Sequence, residues 1–257
     1  METLSAAAIE AQLHTRRFGH PLRVVAETDS TNRLAREWAA AGAPEGAAVT
    51  ADRQTAGRGR RGRAFFSPPG GMYLSVVLRP AAGINPGWIT SCAAVAVARA
   101  IERFAELSVQ IKWVNDLLIH GKKVCGILTE GELDPITGAL RYAVLGIGVN
   151  GGAAEFPPAL REIATSLANE GCPVERERLI AAVLEEWESA YAHMADGAFL
   201  EESRRRSAVL GRSVTVLRGE ERFGAVAQAI DSQGHLVVRT ADGRTLTLHS
   251  GEVSLKL

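Results

Sequence analysis

A run of glycines and arginines at residues 54–63, Gln-Thr-Ala-Gly-Arg-Gly-Arg-Arg-Gly-Arg, constrains this chain more than any other segment. Its three glycines permit positive φ and let the backbone come close to a ligand, so we expect irregular structure rather than a helix or strand. Its four arginines offer forked donors that match phosphate or carboxylate oxygens. The run is therefore a candidate anion-binding loop. We expect it to be mobile without a ligand, because its charges repel one another and it has few apolar anchors.

A basic surface loop or a nucleic-acid patch would contain a similar run. Over the whole chain, 29 Lys and Arg balance 29 Asp and Glu, and the formal net charge is zero. This balance argues against a chain-wide affinity for nucleic acids or acidic membranes. No aromatic residues alternate with the arginines, as they do on surfaces that stack bases. The sequence therefore favours a small anionic ligand.

Three features predict a location in the reducing cytoplasm. The first residues, Met-Glu-Thr-Leu-Ser, lack the basic start and apolar run of a signal peptide. No window of about 18 apolar residues predicts a membrane span. The cysteines Cys92, Cys125 and Cys172 are odd in number and far apart, and they fit neither a disulfide framework nor a zinc site.

Hydrophobic periodicity predicts an α/β fold for most of the chain. Strands are expected at residues 22–26, 47–51, 72–78, 109–119 with a turn at 115–116, and 142–149, with a hairpin at 117–132. Helices are expected at residues 9–13, after residue 30, at 88–104 and at 178–194. Beyond Val209, short strand candidates alternate with turn signals and predict a small all-β unit of roughly 50 residues. We place a domain boundary near Arg206, which divides the chain into residues 1–206 and 207–257.

A lysine interrupts the apolar strand candidate at residues 109–119. Burying Lys112 without an anionic partner is costly, so it either meets a phosphate or carboxylate ligand or lies on the wet face of an edge strand. The alternation of side chains along the strand does not decide between these two environments of Lys112. The segment continues through Trp113, Val114, Asn115 and Asp116.

Other polar or glycine-containing positions are also open to two interpretations. The residues at 29–32, Asp-Ser-Thr-Asn, are typical helix caps, but a helix start also presents N–H groups to a small ligand. Glycines inside the strand candidates, at 126, 146 and 148, indicate either close ligand approach or a bulge. No Walker A, Rossmann or HExxH motif occurs.

Taken in order, these segments resemble the motif series of bacterial biotin–protein ligases, from about Ser5 to the C-terminus. The series comprises Ser-Thr-Asn at 30–32, the glycine–arginine run, Tyr-Leu-Ser at 73–75, Lys-Trp-Val-Asn-Asp at 112–116, Gly-Ile-Leu at 126–128, Gly-Val-Asn at 148–150 and Gly-Glu-Val-Ser-Leu at 251–255. The glycine–arginine run and the Lys-Trp-x-Asn-Asp element are highly specific in this order and spacing.

The resemblance implies an α/β (α+β) fold. It consists of a catalytic domain similar to class II aminoacyl-tRNA synthetases, with a mixed, largely antiparallel sheet, followed by an SH3-like β-barrel. Many relatives carry an N-terminal DNA-binding module, and the 29 residues before Ser30 are too few for one, so no DNA partner is expected. Implied partners are biotin, ATP with Mg²⁺, and the acceptor lysine of a biotin carboxyl carrier protein, with no membrane partner. Relatives include monomers and homodimers, and the sequence does not decide the oligomeric state.

The resemblance also implies roles for particular residues. Implied for catalysis are Lys112, Arg58 and Arg60. Implied for biotin binding are Ser30, Thr31, Asn32, Gln54, Gly57, Arg58, Gly59, Arg60, Ser75, Lys112, Gly126 and Ile127. Implied for ATP binding are Arg60, Arg63, Phe65, Lys112, Asn150 and Lys256, while Asp116 is a candidate Mg²⁺ ligand. Val114, Phe65 and Lys256 stand where relatives usually have proline, tryptophan and arginine, respectively.

The implied activity is an ATP-dependent ligation. Biotin and ATP are both anions, so Lys112, the loop arginines and Mg²⁺ would offset their repulsion and stabilise charge on the α-phosphate. A lipoate ligase or octanoyl transferase of the same fold is the nearest alternative, and a transferase would need a nucleophilic cysteine or an acyl-lysine. A non-catalytic biotin sensor, which keeps the adenylate without transferring it, is the other alternative.

Overall fold

The computed structural model describes residues 3–81, 84–153 and 155–255. Seven strands form one mixed sheet in the order β1-β2-β3-β7-β6-β5-β4. They are β1 (Leu22–Thr28), β2 (Ala48–Gln54), β3 (Met72–Leu78), β4 (Gln110–Lys112), β5 (Asp116–Ile119), β6 (Lys122–Leu133) and β7 (Leu140–Val149). Only β1 and β2 pair in parallel, and the other neighbours are antiparallel. The expected mixed, largely antiparallel sheet is confirmed.

Helices cover both faces of the sheet. They are α1 (Ala6–Glu10), α2 (Thr31–Ala40), α3 (Gly87–Glu102), α4 (Arg176–Ala192) and α5 (Phe199–Arg205). α3 and α4 pack on one face, against the side chains of Leu74 and Val76 from β3. α2 packs on the other face, where Val77 of the same strand contributes to a second core. Because both of its faces are covered, β3 is buried along its whole length. None of the described helices combines the length and hydropathy of a membrane-spanning segment.

Several predicted element boundaries shift in the structure. The strand expected at residues 72–78 has those bounds, whereas the helix expected at 88–104 begins at Gly87 and ends at Glu102. The turn expected at residues 115–116 lies earlier, since β4 ends at Lys112 and β5 begins at Asp116. α5 was not predicted from the sequence. The expected similarity to class II aminoacyl-tRNA synthetases stays a prediction.

A second sheet of five antiparallel strands follows α5, in the order β11-β10-β9-β8-β12. Its strands are β8 (Ser213–Arg218), β9 (Glu221–Ile230), β10 (Leu236–Thr240), β11 (Thr245–Leu248) and β12 (Glu252–Leu255). We call this sheet the β unit. The predicted small β unit is thus confirmed, with one strand, β12, that the sequence did not predict. The described strand pairs leave β11 and β12 at the two ends of the order, which is therefore linear rather than closed.

Trp113 joins the two sheets. It follows β4 directly, is 5% exposed, and packs in the core of the β unit with Val209 and Val214. Its indole N–H donates to the carbonyl of Gly234 at 3.0 Å. The β4–β5 turn is therefore held between the large sheet and the β unit, and this contact fixes the position of the neighbouring Lys112.

Replacing Trp113 by alanine is expected to lower the free energy of unfolding by about 3–5 kcal/mol, because a large buried side chain is lost. Trp113→Phe keeps most of the packing but removes the hydrogen bond, and it should cost about 1 kcal/mol. Urea unfolding followed by circular dichroism measures both. Trp38→Ala is the control, because its partly buried ring lies under the Arg23 guanidinium. Equal losses at positions 113 and 38 would contradict the anchoring role.

Candidate active site

A cavity of about 550 Å³ lies where the large sheet meets the β unit. Its wall includes the start of α2, the segment that follows β2, the β4–β5 turn, β6, β7 and β12. Six cationic side chains line the cavity, namely Arg58, Arg60, Arg61, Arg63, Lys112 and Lys123. Three carboxylates line it as well, namely Asp116, Glu162 and Glu252. The cavity therefore carries an excess of positive charge, although the chain as a whole is neutral.

At one end of the cavity, neutral polar side chains form a buried network. α2 begins at Thr31, and Ser30 occupies the cap position without making a side-chain cap hydrogen bond. Instead, Gln54 at the end of β2 accepts the Thr31 backbone N–H at 2.8 Å and the Thr31 hydroxyl at 3.1 Å. The Ser30 hydroxyl is therefore not committed to capping, contrary to the ordinary capping interpretation of this segment. This end of the cavity can hydrogen-bond a neutral polar group.

The floor next to this network is bare backbone. Gly126 of β6 pairs with Gly148 of β7, and the ring of Phe65 lies over both of them. A Cβ at position 148 would lie 2.5 Å from the Phe65 ring, and one at 126 would lie 3.1 Å from it. The two glycines thus make room for the Phe65 ring, so close approach of a flat group, here a protein side chain, explains them rather than a bulge. Ile127 and Ile147 complete the apolar lining here.

The glycine–arginine run forms a small hairpin at the mouth of the cavity. Arg58 and Ala64 form an antiparallel bridge, and the Gly59 N–H donates to the Arg63 carbonyl at 2.7 Å. A single 3₁₀ turn, Arg60–Gly62, closes the hairpin, with Arg61 at a φ of 57°. The expectation of wholly irregular structure is therefore wrong, because backbone bonds across the run close a short turn. The expected mobility without a ligand stays a prediction.

Arg60 is the loop arginine that reaches deepest. Its guanidinium donates to the amide oxygen of Asn115 at 3.2 Å. Burial, and next the charge of Arg61, lower the pKa of Arg60. The charges of Asp116 and Glu252 act in the opposite direction, but the hydrogen-bond partner of this partly buried cation is neutral, so an anionic ligand would stabilise it further. Among the described residues, Arg58 and Arg61 also make no salt bridge, whereas Arg63 pairs with Glu252 of β12 at 2.6 Å.

Two lysines face the loop from the sheet. Lys123 at the start of β6 lies 2.6 Å from one Asp116 carboxylate oxygen, and Lys112 lies 3.5 Å from the other. The Lys123 ammonium group is 5.7 Å from the Phe65 ring centroid. Both side chains are partly exposed to the cavity, at 22% for Lys112 and 32% for Lys123. The two interpretations of Lys112, a ligand contact and a position on the solvent-exposed face of an edge strand, are therefore both correct, because that exposed face lines the cavity.

Most of the residues singled out in the sequence line this cavity. Those that line it are Ser30, Thr31, Asn32, Gln54, Arg58, Gly59, Arg60, Arg63, Phe65, Lys112, Asp116, Gly126 and Ile127. Gly57, Ser75 and Asn150 are not among its lining residues. Lys256 lies outside the described residues.

The three residues outside the lining have structural contacts instead. A Cβ at Gly57 would lie 2.4 Å from the Ser67 hydroxyl oxygen, so this glycine lets the loop fold back on itself. Ser75 is fully buried beneath Thr31, with 2.8 Å between the two hydroxyl oxygens. The Asn150 amide donates to the Thr165 carbonyl at 2.8 Å and thereby holds the segment after β7.

Sequence reasoning missed Lys123. Its segment was noted only for the glycine at 126, and the lysine stands just before the apolar stretch at residues 124–128 of the strand. The available signal was the hairpin formed by β5 and β6. Pairing its strands brings Lys123 beside Leu118, near the Asp116 carboxylate.

Comparisons with known proteins agree with this geometry. Residues 24–150 match the biotin/lipoate A/B protein ligase family, and residues 209–256 match the biotin protein ligase C terminal domain. The chain is 36% identical to the bifunctional ligase/repressor BirA of Bacillus spizizenii, over 98% of this chain and 79% of that protein. It is 33% identical to a biotin–(acetyl-CoA-carboxylase) ligase of Mycobacterium tuberculosis, over 90% of this chain and 88% of that protein.

A solved structure supports the same assignment. The biotin protein ligase from Aquifex aeolicus, in complex with biotin and ATP, superposes with a TM-score of 0.80 at 29% identity, covering 94% of this chain and 99% of that one. The sequence matches extend over both the large sheet and the β unit. The chain therefore belongs to the biotin/lipoate A/B protein ligase family and, within it, to the biotin protein ligases.

Proposed function

We propose that the chain joins biotin to a lysine of a biotin carboxyl carrier protein in two steps. In the first step, a biotin carboxylate oxygen attacks the α-phosphorus of ATP, the bond to the β-phosphate oxygen breaks, and pyrophosphate leaves. In the second step, the neutral amine of the carrier lysine attacks the carbonyl of biotinyl-5'-AMP. AMP leaves, an amide forms, and the amine loses a proton. The observation that carries the proposal is the cationic cavity with a neutral polar end and a glycine floor.

The cavity has a suitable position for each part of biotin. Its neutral end, with Ser30, Thr31 and Gln54, suits a ureido group, which both donates and accepts hydrogen bonds. The floor at Gly126 and Ile127 would suit the fused apolar rings once the Phe65 ring, which lies over it in this structure, moves aside. Lys123 and Lys112 lie beyond this floor, where the carboxylate at the end of the biotin side chain would meet them.

The loop arginines suit the nucleotide. Arg58 and Arg60 are proposed to bind the phosphates, and Arg60 would exchange its neutral partner Asn115 for a charged one. Such preorganised cations act most strongly where water is excluded, because the local dielectric is low. Phe65 and Arg63 are proposed to contact the nucleoside. Asn150 and Lys256 are also proposed to bind ATP. To do so, the Asn150 amide would have to give up its hydrogen bond to the Thr165 carbonyl.

Magnesium is proposed to arrive on the phosphates of ATP. Among the described residues, no group of three or more His, Cys, Asp or Glu side chains could hold a metal ion. Protein-bound Mg²⁺ commonly takes one or two carboxylates and completes its shell with substrate phosphates and water. Asp116, which already pairs with Lys112 and Lys123, is the single proposed protein ligand. The ion would offset charge on the leaving pyrophosphate.

The cysteines argue against the octanoyl transferase alternative. All three are free and buried. Burial raises the pKa of the Cys92 thiol to about 12 and also raises the pKa values of Cys125 and Cys172. A thiol of raised pKa is a poor nucleophile near neutral pH, because the thiolate is the reacting form. Because the three cysteines are free, we also propose that the chain resides in the reducing cytoplasm.

We also propose that the boundary between the two domains lies near Arg206.

The overall activity is tested by mass. Incubating the protein with ATP, Mg²⁺, biotin and a biotin carboxyl carrier domain should add one biotinyl group to the carrier, as seen by intact-protein mass spectrometry. Omitting ATP is the control. A mass gain with lipoate in place of biotin would contradict the substrate assignment. Adenylate formation without any carrier labelling would favour the sensor.

Lys123→Ala and Lys112→Ala are each expected to slow adenylate formation about 100-fold, because a cation at the developing negative charge is lost. Pyrophosphate release in single-turnover experiments measures this rate. Lys122→Ala is the matched control, since the Lys122 ammonium group donates to the Arg161 carbonyl and does not line the cavity. A wild-type rate in Lys123→Ala would remove that lysine from the proposed mechanism.

Arg60→Gly is expected to release the adenylate into solution, because the loop loses its deepest contact with the cavity. Biotin should then appear on unrelated proteins such as serum albumin, which mass spectrometry detects. Arg60→Lys keeps the charge but lacks the fork, and it should leak less. Retention of the adenylate in Arg60→Gly as tight as in wild type would refute the closing role of the loop.

A further inference from the structure

Glu130 of β6 does not line the cavity, yet it contacts a side chain that does. The Asn32 amide nitrogen donates to a Glu130 carboxylate oxygen at 2.8 Å, and the Leu128 carbonyl oxygen lies 3.4 Å from the same nitrogen. An ionised carboxylate only accepts hydrogen bonds. The NH₂ group of Asn32 must therefore point towards Glu130. The Arg36 guanidinium lies 3.7 Å from the other carboxylate oxygen.

This orientation sets the direction of the next hydrogen bond. With its NH₂ group towards Glu130, Asn32 turns its carbonyl oxygen to the Ser75 hydroxyl, 2.6 Å away. A carbonyl oxygen can only accept, and a serine hydroxyl has one proton to give. That proton is therefore committed to Asn32, and Ser75 turns a lone pair towards the Thr31 hydroxyl at 2.8 Å.

Thr31 carries the consequence into the cavity. Its hydroxyl lies between two acceptors, the Ser75 oxygen and the Gln54 amide oxygen, and its proton is therefore held within the network. The lone pairs of Thr31 remain for a ligand. Thr31 thus offers an acceptor to an N–H group, and a ureido head carries two such groups. If the Asn32 amide were reversed, Ser75 would instead donate its proton to Thr31 and occupy one of the Thr31 lone pairs, which would then be lost to the ligand, while the Gln54 amide oxygen would still accept the Thr31 proton.

Packing makes reversal the alternative state that this amide adopts with the least change of shape. Asn32 is 5% exposed, and a Cβ at Gly146 would lie 2.1 Å from its oxygen, so the amide lies directly on the strand. The strand backbone therefore blocks movement of the amide in that direction. Turning it by 180° changes its hydrogen bonding but hardly its shape. The choice between the two states therefore depends on its polar neighbours, of which Glu130 is the charged one and the closer of the two acceptors.

We propose that Glu130 is a positioning residue that makes Thr31 an acceptor for the ureido N–H groups of biotin. It acts through the Asn32 amide and the Ser75 hydroxyl and does not touch the ligand. The proposal rests on the proposed function, because it takes biotin as the ligand of the neutral end of the cavity.

The test begins with Glu130→Gln, which has the same shape but both accepts and donates, so that both orientations of Asn32 become possible. The KM for biotin in adenylate formation should rise about tenfold, as expected when one neutral hydrogen bond is misdirected. The KM for ATP and the kcat should stay within about twofold of wild type. Glu132→Gln, an exposed position two residues along the same strand, is the matched control and should match wild type.

A double variant separates positioning from mere structural support. In Asn32→Asp/Glu130→Gln, the aspartate can only accept from Ser75, and the glutamine supplies the NH₂ group between the two side chains. The original direction of the network is restored, and the KM for biotin should return to within about threefold of wild type. Asn32→Asp alone places two carboxylates together and should bind biotin more weakly than the double variant. This rescue is measurable even if Glu130→Gln alone does not fold.

Two results would overturn the proposal. One is a wild-type KM for biotin in Glu130→Gln, and the other is a double variant whose loss equals the sum of the single losses. A wild-type protein that does not use biotin would instead refute the proposed function. The two failures are therefore distinguishable in the same set of measurements.

Discussion

A single carboxylate, that of Asp116, holds two ammonium groups beside the same cavity. Lys123 and Lys112 lie on opposite sides of it, at 2.6 and 3.5 Å. Their positions follow from strand register, because β5 lies between β4 and β6 and places Asp116 opposite both Lys112 and Gly126. Two like charges this close are stable only with a shared counter-charge. The loop arginines, the glycine floor and the neutral network are all arranged around this positive pair.

Local chemistry explains which parts of the site could be predicted from the sequence. The arginine loop stands out by composition, and Thr31 by its position at a helix start. Lys123 does not stand out, because its proximity to Asp116 depends on the pairing of β5 with β6. Ser75 shows the converse problem. It belongs to the motif series, but motif order does not distinguish a residue that touches a ligand from one buried beneath it, since depth is a property of the folded chain.

The same distinction applies to the fold. β3 is apolar except for Ser75, and its bounds were predicted correctly. α5 (Phe199–Arg205) is short and rich in charge, so its own sequence predicts it poorly. An ion pair with another helix supports the end of α5, where Arg206 contacts Glu102 of α3 at 2.6 Å and also Glu202 of α5 itself at 2.8 Å. Since Arg206 and Glu102 are far apart in sequence, no local pattern would have revealed their contact.

Trp113 gives the β unit a direct influence on the cavity. Its ring belongs to the core of that unit, while the preceding residue, Lys112, lines the site. Any event that melts the five-stranded sheet therefore releases the strand end that carries an ammonium group. A proteolytic cut between the last helix and β8 would leave the arginine hairpin chemically intact. The enzyme would nevertheless lose the alignment of its charges, so the order of the cavity depends on the order of the β unit beside it.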